Sequence, residues 1–219
     1  PRFQANEDIR KRKLQPSHYK LSKEVNGEFV YDKAAMRRYL AENIYHALLK
    51  SMEESEMLDQ DIANPVAAGI KAWALDHGVT HFTHWFQPLT GRTAEKHEAL
   101  LDLVDGIAIE QYSGDELRQQ APAASSFHRR GLRTTFDARG YTAWDSSSPV
   151  FILKTAFGTT LCIPTIFVSF TGQALDYKIP LLRSVNLISQ AATELVHLFD
   201  PSVKRVIPTL GIEQEYFLV

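Results

Sequence analysis

Val79-Thr80-His81-Phe82-Thr83-His84-Trp85-Phe86 divides this chain in two. Its β-branched and aromatic residues favour an extended backbone, and Pro88 and Gly91 bring the run to an end. Upstream, apolar residues recur at helical spacing; downstream, short runs of strand formers are separated by turn residues. That change of hydrophobic period predicts an α+β fold. Helices precede residue 78, a mixed or antiparallel sheet spans 79–170, a helix covers 180–199, and a strand pair covers 203–219.

Working outward toward the N-terminus, the first 32 residues are polar and basic, with the run Arg10-Lys11-Arg12-Lys13, and read as a solvated arm rather than a nucleic-acid arm. Asp32 can cap a helix over 33–52, on which Tyr39, Ile44, Leu48 and Leu49 recur. A second helix is predicted over 61–77, with Pro65 in its first turn and Gly78 as its stop. On the strand itself, His81 and His84 are three apart and face opposite sides, so they cannot grip one metal ion; core or interface roles suit them better.

Toward the C-terminus, Thr93-Ala94-Glu95-Lys96 resembles a helix start that His97 to Leu103 can continue. A strand over 107–111 follows, then a short helix over 115–119 capped by Ser113, then the small-residue loop Ala121-Pro122-Ala123-Ala124-Ser125-Ser126. Residues 133–136 read as a strand, and 150–153 with 160–170 as a hairpin around Gly158. Pro180 opens a helix with Leu182, Val185, Ile188, Leu195 and Leu198 as its apolar positions, and Pro201 follows it.

The 219 residues suit one or two domains and are ample for a packed core. Hydrophobic residues make up 44% and charged residues 23%, as in ordinary globular proteins. The formal net charge of -2 provides no global basic field for nucleic acid. No apolar stretch reaches the length of a membrane span, and the N-terminus has no apolar signal core. The single cysteine, Cys162, lies in an apolar run and reads as a core residue in a reducing, cytoplasmic setting.

The last stretch, Gly211-Ile212-Glu213-Gln214-Glu215-Tyr216-Phe217-Leu218-Val219, sets two carboxylates two residues apart. On a strand Glu213 and Glu215 would project side by side and repel unless a cation compensated. Hard divalent ions such as Mg²⁺ or Mn²⁺ take such ligands. An edge strand whose glutamates face water, or pair with Lys or Arg, accounts for the same pattern.

Longer words in the chain narrow these alternatives. His81-Phe82-Thr83-His84-Trp85-Phe86-Gln87-Pro88-Leu89-Thr90-Gly91, continued by Thr93-Ala94-Glu95-Lys96-His97, is one. Others are Ala138-Arg139-Gly140-Tyr141-Thr142-Ala143-Trp144-Asp145, Thr160-Leu161-Cys162-Ile163-Pro164-Thr165, Pro180-Leu181-Leu182-Arg183-Ser184, and the closing Gly211-Ile212-Glu213-Gln214-Glu215-Tyr216-Phe217-Leu218. In this set and order the chain resembles the N-terminal part of a type III glutamine synthetase, with matches across most of residues 70–219.

The resemblance implies a ligase that joins ammonia to glutamate with ATP as co-substrate, through γ-glutamyl phosphate, with Mg²⁺ or Mn²⁺ neutralising the phosphates. It implies three parts: an N-terminal arm and helices over 1–78, a β-grasp domain over 79–170, and the start of a catalytic domain over 171–219. Glu213 and Glu215 match the family's first pair of metal ligands, Glu215 also lying on the substrate side. The family assembles as rings of identical subunits, with active sites formed between chains.

Two departures stand out. The family loop usually reads Asp-Ala-Ser-Ser or Asp-Gly-Ser-Ser, and its aspartate attracts ammonium and takes its proton. This chain has Ala123-Ala124-Ser125-Ser126, and alanine can do neither. After Phe127, His128-Arg129-Arg130 replaces a small turn; these cations read as solvated surface charge, though close to the loop they would repel ammonium. The remaining metal glutamates and the ATP pocket of the family lie beyond residue 219, so these residues alone are expected to be inactive. The alternative is a non-catalytic relative acting in assembly or regulation, with Ala123 as its mark.

Overall fold

The computed structural model describes residues 27–54, 58–89, 93–105, 107–122, 126, 140–156, 158–211, 213 and 215–217. Three helices come first: α1 (Lys33–Tyr39), α2 (Glu42–Glu54) and α3 (Gln60–Asp76). The Asp32 carboxylate caps α1 through the Ala34 and Ala35 N–H groups, as expected. The single helix anticipated over 33–52 is in fact two, because Leu40 adopts an extended backbone and its side chain turns into the core. Pro65 lies in the second turn of α3 rather than its first, since the helix starts at Gln60. Gly78, at φ +73, ends the helix segment as the sequence indicated.

The sheet then forms from β1 (His81–Phe86), β2 (Ala94–Ala99), β6 (Gly140–Trp144), β7 (Phe151–Thr155) and β8 (Gly158–Ser169), with the two-residue β5 (Gln119–Gln120) at one edge. Its order is β2-β1-β8-β6-β5, with β7 also on β8. The pair β1·β8 is parallel and the others are antiparallel, so the sheet is mixed and the α+β class holds. The β7–β8 hairpin around Gly158 is the one read from the sequence. A separate ribbon of β3 (Asp102–Val104) and β4 (Ile107–Ile109) precedes the short helix α4 (Gly114–Arg118). α4 carries a complete capping box between Ser113 and Glu116 and presses close to α3: a Cβ on Gly114 would lie 2.7 Å from the Ala63 carbonyl carbon.

Two further expectations fail. Residues 94–99 form β2, not a helix, although Ala, Glu and Lys are good helix formers. β1 would otherwise leave an unpaired edge there, and six paired positions outweigh a propensity of a few tenths of a kcal/mol per residue. Among the described residues after 202 there is no strand. The backbone there is satisfied instead by helix α5 (Lys178–His197): Ser189 Oγ donates to Val206 O at 2.6 Å, Val206 N donates to Thr193 Oγ1 at 2.9 Å, and His197 Nε2 meets Val203 O at 2.6 Å. Those three backbone groups, held by helix side chains, are not free for a ladder. The strand expected over 133–136 lies outside the described residues.

The main core joins α1–α3 to one end of the sheet through Leu48, Val66, Ile70, Trp73, Phe82, Leu161 and Ile163. A second, smaller cluster of Phe86, Ala94, Phe167 and Leu175 closes the other end.

Candidate functional site

The loop that carries Ala123 follows β5, and the described polar side chains converge on β5. Pairing places them. Lys96 lies opposite His84 and Glu98 opposite Phe82; His84 lies beside Ile163; Thr142 pairs with both Phe167 and Gln120. Side chains of directly paired residues share a face, and alternate residues of a strand do too. Lys96, Glu98, His84, Thr142 and Gln120 therefore look into the same side of the sheet. Gln120 Nε2 donates to Glu98 Oε2 at 2.7 Å, although β5 and β2 are the two ends of the strand order. That bond is possible only because the sheet curls until its edges meet.

His84 occupies the middle of this polar seam and is fully buried. Its Nε2 lies 2.7 Å from the Glu116 carbonyl and its Nδ1 2.7 Å from Thr142 Oγ1. A carbonyl only accepts, so Nε2 carries the hydrogen, and Nδ1 takes the Thr142 hydroxyl hydrogen. The Gln120 carbonyl, 3.1 Å from the same hydroxyl, is a second acceptor that competes for its one hydrogen. Burial lowers the imidazole to about 4, helped by the Lys96 charge and opposed by the Glu116 carbonyl, so the ring is neutral at pH 7. The opposite facing of His81 and His84 is borne out, since His81 is exposed. What the sequence could not show is that His84 touches two other elements.

Lys96 Nζ pairs with Glu98 Oε1 at 2.5 Å, which leaves the other carboxylate oxygen for Gln120. Tyr112 packs edge-on against Phe82 at 4.7 Å between ring centres. Burial, then the charges of Glu116 and Glu98, raise its hydroxyl well above the ordinary value. The Tyr112 hydroxyl, Gln120 Oε1 and Trp144 Nε1 are buried without a hydrogen-bond partner.

A second polar cluster joins the sheet to α5. Asp145, just past β6, pairs with Lys178 at 2.5 Å and accepts from the Ser147 and Ser148 hydroxyls at 2.5 and 2.8 Å. Burial works to raise the Asp145 carboxyl, but the Lys178 charge and these hydrogen bonds outweigh it and hold it below its usual range. Asp176 accepts from Phe167 N at 2.6 Å and Ile179 N at 2.9 Å, so one carboxylate ties β8 to the first turn of α5. Its burial outweighs those donors and raises it.

Of the predicted site residues, Ala123 and Ser125 lie outside the described residues, and Ser126 is buried. Glu213 and Glu215 are exposed on irregular backbone, so the side-by-side strand geometry expected for them is not found. A strand requires a neighbour to pair with, and no described strand runs beside residues 203–217. Among the described residues no group of three or more His, Cys, Asp or Glu could hold a metal ion. Cys162 is buried, and burial, reinforced by the Glu95 charge, pushes its thiol up to about 12, so it is the inert core residue that the sequence indicated. No helix among the described residues is long and apolar enough to cross a membrane.

The family described as "Glutamine synthetase type III N terminal" matches residues 22–184, which takes in α1–α3, the whole sheet and the start of α5. The chain belongs to the type III glutamine synthetase family. A "Glutamine synthetase" of Bacteroides fragilis (strain YCH46) is 51% identical over 191 residues, 87% of this chain and 26% of the relative. A "Type-3 glutamine synthetase" of Dictyostelium discoideum is 46% identical over 192 residues, 86% of this chain and 26% of the relative. A "Glutamine synthetase" of Butyrivibrio fibrisolvens is 30% identical over 202 residues. The chain thus spans about a quarter of the length of the glutamine synthetases it matches. His84, Thr142 and Asp145 all fall within the matched N-terminal part.

Proposed function

We propose that the chain is the N-terminal portion of a cytoplasmic glutamine synthetase that joins glutamate and ammonia with ATP, through γ-glutamyl phosphate. The observation that carries this reading is the match of residues 22–184 to the type III N-terminal family. In this reading residues 79–170 are the β-grasp domain and 171–219 begin the catalytic domain. The complete protein is a ring of identical subunits with active sites between chains.

The chain's share of the chemistry is small. Carboxylate oxygens suit a hard ion such as Mg²⁺ or Mn²⁺, and Glu213 and Glu215 are exposed and able to supply them. Two carboxylates fall short of the roughly six oxygens such an ion requires, so these residues alone do not form the site. In the complete enzyme the ion neutralises phosphate charge. Glu215 also faces substrate in this reading. Residues 1–219 by themselves are inactive.

Ala123 favours a second reading, a relative that assembles with or regulates such enzymes without making glutamine itself, because the loop lacks the acid that takes the proton of ammonium. Ser125 and Ser126 complete that loop. The test uses the full-length protein with Mg²⁺ or Mn²⁺, following glutamate phosphorylation and glutamine production against ammonium concentration. The enzyme reading expects phosphorylation with weak glutamine formation, raised about 10²–10⁴-fold by Ala123→Asp. No phosphorylation by either form sinks the enzyme reading and leaves the second. Equal glutamine curves sink the role assigned to position 123.

A further inference from the structure

Where the curled sheet closes, side chains span the seam, because β2 and β5 share no ladder among the described residues. Two polar atoms in that seam lack a partner. The Gln120 amide is oriented by Glu98: a carboxylate only accepts, so Nε2 must face it, at 2.7 Å, and Oε1 must turn away. Oε1 is then buried without a hydrogen-bond partner, on a residue 8% exposed. The Tyr112 hydroxyl, on a residue 5% exposed, is the second such atom. Both border Glu98. Its Oε2 holds the Gln120 amide, and Glu98 is the direct cross-strand partner of Phe82, the ring against which Tyr112 packs. Burial is the main reason that the Tyr112 hydroxyl is raised, and the charges of Glu116 and Glu98 add to it, so both carboxylates lie near it.

We propose that this seam holds a binding site for one water molecule, which accepts from the Tyr112 hydroxyl and donates to Gln120 Oε1. The two atoms are complementary, one a donor and the other only an acceptor, yet they do not bond to each other directly. A single water satisfies both, and its second hydrogen faces the carboxylate charge around Tyr112. Ordering one water costs less than leaving either atom unpaired in a closed site. A cation suits the site less well. Lys96 already neutralises Glu98 at 2.5 Å, and the Glu116 carboxylate is engaged by the Ser113 N–H and hydroxyl, each at 2.7 Å. The water ties β5, only two residues long, to the Phe82 side of the core and so completes the closure that the Gln120–Glu98 bond begins. The site lies wholly within the N-terminal part and does not depend on the reaction proposed for the complete protein.

The experiment compares the full-length wild type with Tyr112→Phe, Gln120→Met and the double variant. A crystal structure of the wild type should show a water within about 3.2 Å of both Tyr112 Oη and Gln120 Oε1, and the lack of one overturns the proposal. In hydrogen exchange, Tyr112→Phe should speed exchange over residues 117–120 and 140–144 roughly tenfold, because a bridged hydroxyl is lost. An unpaired hydroxyl predicts the reverse: its removal leaves exchange unchanged or slows it, and that result overturns the proposal. Helix α5, at the other end of the sheet, should keep its protection; equal acceleration there marks general loosening and overturns it too. In Gln120→Met the acceptor is already gone, so adding Tyr112→Phe should change little. Effects of the two substitutions that simply multiply overturn a shared water. Ammonium chloride should slow exchange no more than sodium chloride does; a slowing specific to ammonium that Tyr112→Phe abolishes overturns water as the occupant and assigns a cation. If Gln120→Met does not fold, the wild-type crystal structure and Tyr112→Phe decide by the same outcomes.

Discussion

Helices α3 and α5 are both long and amphipathic, and they meet opposite fates. α3 buries seven of its 17 residues, among them Val66, Ile70 and Trp73. α5 buries only Ile179 and Ser189 of its 20. Leu187 and Leu195 are 67% and 60% exposed, and Leu198 and Phe199 just beyond the helix are more exposed still. Hydrophobic pattern alone marks both as helices that cover something. α3 finds α1, α2, α4 and the sheet; α5 is fastened at its first turn and otherwise carries only the irregular segment after it. A contiguous apolar stripe left in water is the usual sign of a missing partner. On the proposed function that partner is the remainder of the catalytic domain.

The sharpest way to break this contrast is to cut into α3. Trp73→Ala should cost about 3–5 kcal/mol, enough to unfold a marginal domain, measured by urea denaturation. A loss under 1 kcal/mol would mean that α3 is no better anchored than α5.

Next comes His84, the one fully buried histidine among the described residues. His84 falls to about 4 in the folded chain from an ordinary 6.5. Between those values the unfolded chain binds more protons, so stability is complete above pH 6.5 and falls as pH drops toward 4. The loss is on the order of 3 kcal/mol. His84→Gln should remove that slope while leaving the acid limb due to carboxylates. An identical pH profile for both proteins would show that the ring is not neutral as placed.

Asp145 tests the fastening between the two regions. Asp145→Asn leaves Lys178 half-shielded with no opposite charge, and about 2–3 kcal/mol should be lost. Because the wild-type carboxyl lies below its ordinary 3.8, its contribution is full above that pH and vanishes as pH falls through the lowered value. Denaturation of both forms at pH 7 and at strongly acid pH should therefore converge at the acid end; a constant gap would sink the assignment.

The smallest stability effect belongs to the exposed stripe. Leu187→Ala should change folding by no more than about 0.5 kcal/mol. Residues 1–219 should self-associate at micromolar concentration, and Leu187→Glu with Leu195→Glu should suppress it. A clean monomer of the unaltered chain by light scattering would contradict the missing-partner account.

Much of the fold was legible. Asp32, Ser113 and Gly78 act within a turn of themselves, so caps and stops are read from neighbours. The β7–β8 hairpin is closed by a short loop and needs no distant partner to be recognised. Of the candidate site, the sequence supplied the family words, Ala123 and the glutamate pair, but not their arrangement. It placed Glu213 and Glu215 on a strand because Tyr216 and Phe217 favour one, whereas among the described residues no strand lies beside that backbone.

What the sequence determined by itself is whatever local periodicity and capping control: three of the helices' boundaries within a few residues, the strand at 81–86, and membership in its family. Tertiary structure alone decided the rest. The segment 94–99 has helix-forming residues, and only the open edge of β1, distant in the chain from β8 yet parallel to it, made it a strand. His84 looks the same as His81 in sequence, and only the curl that brings Glu98 to Gln120 encloses it between Glu116 and Thr142. Those outcomes depend on pairings between residues from 8 to 79 positions apart, set by which strand comes to lie alongside rather than by any local period.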